Sequence, residues 1–157
     1  MQPIRTKFGG FTLIEVMITL VIIAIISAIA FPLYTGHVTK TRRSDATIGL
    51  TTLANAQERF YQDCNSYTTF IGVATTAVGT CATANSGLGY SSALTKDGYY
   101  TLSVAAATTV AYDLRATPVG GSLQAGDGGL GLTSTGAKWY DLDKDGTQDI
   151  NEMKWKW

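Results

Sequence analysis

The chain has a single histidine, His37, among its 157 residues. A Ser-His-Asp or Cys-His arrangement would have to draw it from the rim of an apolar stretch, where a solvated imidazole is the plain expectation, so no enzymatic activity is expected. Cysteine is nearly as scarce. Cys64 and Cys81 have no further soft ligands near them in the sequence, which argues against a thiolate metal site. Charge is thin as well, with 12 basic and 12 acidic side chains in all. From Ser44 onward acids outnumber bases eleven to seven, which speaks against a nucleic-acid surface, and no nucleic-acid partner is expected. Past residue 64 Lys and Glu give way to Ala, Thr, Gly and Ser, the usage of exposed strands and turns on an extracellular surface.

One stretch is rich in what the remainder lacks. From Val16 to Ala30 every residue is apolar except Thr19 and Ser27, and Phe11 to Leu33 would extend roughly 34 Å as a helix, enough to cross a bilayer. No other part of the chain can enter a membrane. The run holds one charge, Glu15, and a carboxylate there costs roughly 2.5–3.5 kcal/mol on the mild insertion scale. A functional role that outweighs the cost is the default reading.

Gly9-Gly10 lies before the apolar run, whereas an ordinary secretory signal places its small-residue cleavage site after it. With this inverted order, K-F-G-G followed by F-T-L-I-E-V resembles the class III signal of type IV pilins and related pseudopilins. The resemblance implies that a membrane-embedded prepilin peptidase removes residues 1–10 by cutting between Gly10 and Phe11, methylates the new terminus, and leaves the helix of about residues 11–36 in the product. It also gives Glu15 the task of pairing with the N-terminal amine of a neighbouring subunit. Both charges lose water in an apolar filament core, which is tolerable only if each meets the other at short range. The implied partners are other pilin subunits and the prepilin peptidase. The implied location is the inner membrane, single-pass with the head outside the cytoplasm, and then an extracellular pilus.

Two other readings of the same stretch stand beside this one. Ala28-Ile29-Ala30 fits an ordinary signal-peptidase site with Phe31 as the first residue of a secreted product, against which stand Glu15 and the misplaced glycine pair. A plain single-span anchor is the other. Arg5 and Lys7 precede the span while Lys40, Arg42 and Arg43 follow it, so flanking charge does not orient it. The basic group after the span reads as headgroup contact and solvated helix surface.

The remaining residues, 37–157, suffice for one compact head with a modest core. Pro32 and Gly36 predict a kink or loosening before the helix continues to about residue 62. Ala46, Leu50, Leu53, Ala54, Gln57, Phe60 and Tyr61 make its apolar stripe, with Asp45, Thr52, Asn55 and Arg59 elsewhere around it. Residues 63–97 read as a long loop. In an exported protein Cys64 and Cys81 read as a disulfide there, with two free thiols as the alternative. Sheet pattern covers residues 98–140: Tyr100, Leu102 and Val104 alternate, a short connection at Ala106 to Thr108 follows, and Val110, Tyr112, Leu114 and Ala116 alternate again. Leu130 to Thr133 and Ala137 to Tyr140 complete three or four antiparallel strands. The expected class is α+β, and it resembles the pilin plan of one long helix whose second half packs on a sheet.

Residues 141–152, DLDKDGTQDINE, match the twelve-residue calcium pattern. Asp141, Asp143, Asp145, Asp149 and Glu152 supply carboxylates, Thr147 would add its carbonyl, and Gly146 makes the tight turn. These five acids, out of twelve in the chain, would repel one another without a cation, and Ca2+ is the expected structural cofactor, with a solvated acidic turn as the alternative. Many pilins staple this region with a disulfide, but no cysteine follows Cys81, so the ion is expected to take its place. Trp155 and Trp157 would lay indoles on the sheet or present them to a neighbour. The chain is thus read as a pilus subunit, minor rather than major, serving filament assembly, adhesion or motility. A type II secretion pseudopilin is the alternative, or a membrane-anchored or secreted calcium-binding module that does not polymerise.

Overall fold

The computed structural model describes residues 10–73, 81, 87–146 and 148–155, and the chain divides after Val38 into two compact units. One helix, α1 (Leu13–Cys64), runs through both. It starts two residues later and ends two later than the sequence suggests. Pro32 and Gly36 do not interrupt it, a correction to the expected loosening. A proline inside a helix removes only one backbone donor, and helical residues flank it on both sides. Thr35 Oγ1 donates to the Pro32 carbonyl at 3.0 Å.

The fold is α+β. Four antiparallel strands follow α1 as a simple meander in the order β1 (Tyr100–Ala107), β2 (Tyr112–Pro118), β3 (Leu130–Thr133) and β4 (Lys138–Tyr140). Period-two alternation buries Tyr100 and Leu102, then Tyr112, Leu114 and Ala116, against the helix stripe of Ala46, Leu50, Leu53 and Gln57. Gln57 is buried because its amide both donates to the Thr68 carbonyl and accepts from the Thr68 N–H. The β4 edge is only three residues long, and the β1 edge is partly covered by an antiparallel bridge from Leu94 to Thr101.

Three local readings need correction. The first hairpin turns later than expected, at residues 108–111, because the register shifts between Val104 and Ala106 and carries β1 on to Ala107. Thr108 closes this turn by accepting the Val110 and Ala111 N–H groups at Oγ1, and Val110 stands exposed at its tip. The sheet begins at Tyr100 rather than Gly98. Asp45, expected off the apolar stripe, is buried beneath the loop before β1 and accepts the Asp97 N–H at 3.4 Å. Cys64 and Cys81 form a disulfide.

Candidate functional site

Two regions carry chemistry. The first is the start of α1. Thr12 Oγ1 accepts the Glu15 N–H at 3.3 Å, a side-chain cap that fixes where the helix begins. Glu15 therefore lies in the first turn, where the helix dipole favours a negative charge. Gly10 and Phe11 immediately precede this turn. All residues from Gly10 to His37 are exposed, including Leu20, Val21, Ile22, Ile25 and Ile29. By length and composition the segment is long and apolar enough to cross a membrane, and none of its most apolar window is covered by the chain itself.

The second is the loop that leaves β4. Asp141, Asp143 and Asp145 each bring a carboxylate oxygen within 4.8 Å of the others. Asp141 is 6% exposed, and its Oδ2 accepts the Gly146 N–H at 3.1 Å. Its Oδ1 is buried with no hydrogen-bond partner among the described residues. Gly146 holds φ at +78°, a left-handed conformation that suits glycine. Its carbonyl accepts Arg115 Nη1 at 2.5 Å. Glu152 is 2% exposed and ties the loop's ends together, with Oε1 accepting the Leu142 N–H at 2.5 Å and Oε2 the Asp149 N–H at 3.2 Å. Neither Asp149, which is exposed, nor Glu152 is among the three clustered carboxylates, and Thr147 lies outside the described residues. An acidic cluster that could hold a metal ion is therefore present.

Beside the loop, Trp139 lies flat over Gly131, where any Cβ would come within 1.9 Å of the ring, and Arg115 sits 5.5 Å from the indole centroid on the same face. Trp155 donates its Nε1–H to the Gly131 carbonyl at 3.1 Å, with Lys138 Nζ 4.5 Å from its ring centroid. Trp157 lies outside the described residues.

A further group escapes sequence reading. Arg43, expected to be solvated or among headgroups, instead grips Asp127 with Nε at 2.8 Å and Nη2 at 2.6 Å, and lies 4.4 Å from the Tyr140 ring centroid. Tyr100 and Tyr140 hydroxyls and the Gln124 amide also donate to Asp127, at 2.8, 2.7 and 2.6 Å. Burial pushes the Asp127 carboxyl up, but hydrogen bonds from Arg43, Tyr140, Tyr100 and Gln124 overcome it and hold the group at about 2. Burial raises the Tyr140 phenol, and its bond to Asp127 raises it further. Arg43 and Asp127 are 84 residues apart, and Asp127 reads only as part of a glycine-rich turn. No local pattern links them.

Residues 32–128 match the family described as "Type IV minor pilin ComP, DNA uptake sequence receptor". This chain belongs to that family. Residues 5–31 of this pilin match the prokaryotic N-terminal methylation motif, which takes in Gly10, Phe11 and Glu15. The chain is also similar to the type IV major pilin protein PilA of Myxococcus xanthus (strain DK1622), 39% identical over 61 residues, or 39% of this chain and 28% of that protein. The match thus spans under a third of the relative's length. Family membership makes this chain a type IV minor pilin precursor, a structural and non-enzymatic protein with an apolar N-terminal helix.

Proposed function

We propose that the mature chain polymerises through the N-terminal half of α1, after cleavage between Gly10 and Phe11 and methylation of Phe11 by a prepilin peptidase. The observation that carries this is the exposure of every residue from Leu13 to His37 on a helix too apolar to remain in water. Lipid covers it first, in a single-pass orientation with the head outside the cytoplasm, and neighbouring helices cover it in the extracellular filament. Glu15, at the first turn, receives the amine of the adjoining subunit. The test is Glu15→Ala: the head should melt at an unchanged temperature while the subunit disappears from sheared filaments, and wild-type incorporation by this variant would overturn the reading. Mass spectrometry should find N-methyl-Phe11 as the mature terminus, and Phe31 would mean ordinary signal cleavage. Filament adhesion or motility would follow from assembly.

The family description supports a second reading, contact with DNA during uptake, which runs against the expectation drawn from charge. What favours it is a strip where Lys138 and Lys154 flank Trp155 around a hollow of about 460 Å3, pairing cations with an indole as single-strand and phosphate contacts do. A gel-shift series across salt, with Lys138→Glu and Lys154→Glu together, should show salt-sensitive binding that the double variant loses. Within either reading the acidic loop serves the head structurally, by holding a divalent cation that fastens the C-terminal segment.

A further inference from the structure

The geometry points to Ca2+ as the ion of residues 141–152, with Asp141, Asp143 and Asp145 as its first ligands and Arg115 as the residue that positions the turn. This deepens, and rests on, the reading that the loop holds a divalent cation; it is independent of filament assembly. The decisive feature is Asp141. A carboxylate oxygen taken from water with no donor facing it is costly, and buried polar atoms almost always find a partner. Asp141 Oδ1 finds none among the described residues, although Oδ2 of the same group is satisfied by Gly146. A side chain 6% exposed, with one oxygen satisfied and the other bare, fits a position built for a cation.

The carboxylates it joins lie close enough together to share one cation. Ligand oxygens within 4.8 Å of one another are what one ion with bonds of 2.3–2.6 Å can bridge. The donor set is entirely hard oxygen, which disfavours zinc and copper. Magnesium holds its waters and usually takes one or two carboxylates in a near-ideal octahedron, whereas this loop offers three clustered carboxylates.

The loop is also closed before any ion arrives. Glu152 bonds the amides of Leu142 and Asp149, Asp141 bonds the amide of Gly146, and Arg115 holds the Gly146 carbonyl from β2. Little chain entropy is therefore left for the ion to overcome. Just beyond Glu152, Trp155 docks on Gly131, so an ion gripping the loop also grips the tail. The family match ends at residue 128, before this loop begins.

The test uses the full chain in detergent micelles, titrated with CaCl2 or MgCl2 by calorimetry, with Tb3+ luminescence sensitised by nearby tryptophan as a second readout. One Ca2+ per chain should bind with Kd on the order of 10⁻⁴–10⁻³ M, the range of extracellular modules, with Mg2+ at least about tenfold weaker. Asp143→Asn, at an exposed position, should weaken Ca2+ at least about tenfold while melting in EGTA no lower than wild type, because it relieves repulsion. Arg115→Met should weaken Ca2+ by a smaller factor. Equal binding of Mg2+ would overturn the calcium assignment and leave the cation reading standing. No binding of either ion would overturn both, and unchanged Ca2+ affinity in Asp143→Asn would remove the site from this loop.

Discussion

The two halves of α1 are one helix with opposite solvation. Before Val38 its Ile, Val and Leu side chains are all exposed, whereas after Thr39 a stripe of Ala46, Leu50, Leu53 and Gln57 is closed off by strands of the same chain. Helix formation is common to both, so propensity explains neither burial nor exposure. The difference lies in where the covering surface comes from. The second half carries its cover in cis, and among the described residues the first has none within the chain.

The sharpest way to break this contrast is to make the same kind of deletion in each half. Leu50→Ala, at a fully buried site, should cost the head about 4 kcal/mol in urea or thermal unfolding. Ile22→Ala, on an exposed position, should leave head stability unchanged and act only on filament yield. A loss of head stability from Ile22→Ala equal to that of Leu50→Ala would erase the distinction.

Next in size is the polar clasp on the second half. Arg43→Met should cost about 3 kcal/mol, because it leaves Asp127 buried with three neutral donors and no cation. Arg42→Met removes only a contact 4.8 Å from the Tyr99 ring centroid, and its cost should be under about 1 kcal/mol. Chemical denaturation of the two variants side by side measures the gap.

The smallest effect is the pH dependence of the same clasp. Asp127 titrates at about 2 in the folded head and near 3.8 when unfolded, so folding favours the ionised form. Its contribution, about 2 kcal/mol, is fully present above roughly pH 4 and is lost as pH falls through 2. Stability curves between pH 5 and 2 should show that loss in the wild type and a shallower one in Asp127→Asn. An identical slope would remove the clasp from the acid response.

Local order was legible wherever period or spacing carries it. The 3.6-residue stripe of Leu50, Leu53 and Gln57, the alternation of Tyr112, Leu114 and Ala116, and the clustering of Asp141, Asp143 and Asp145 all read directly. The hairpin at 108–111 did not, because a threonine side chain closes it without the glycine or asparagine that usually marks a turn. The Arg43–Asp127 pair was illegible for another reason: a salt bridge across 84 residues is a product of packing, and each partner alone looks like an ordinary surface charge. Asp45 was misplaced likewise, since the loop that covers it comes from 52 residues away.

The edges of the sheet bear on how such subunits are kept apart. Two bare strand edges that meet can zip together through their backbones. Here one border is three residues long with a lysine at its start, and the other is already engaged by Ala93, Leu94 and Thr95. With one border this short and the other partly engaged, little bare strand edge is left on the head, whereas the exposed apolar half of α1 stays open to a partner.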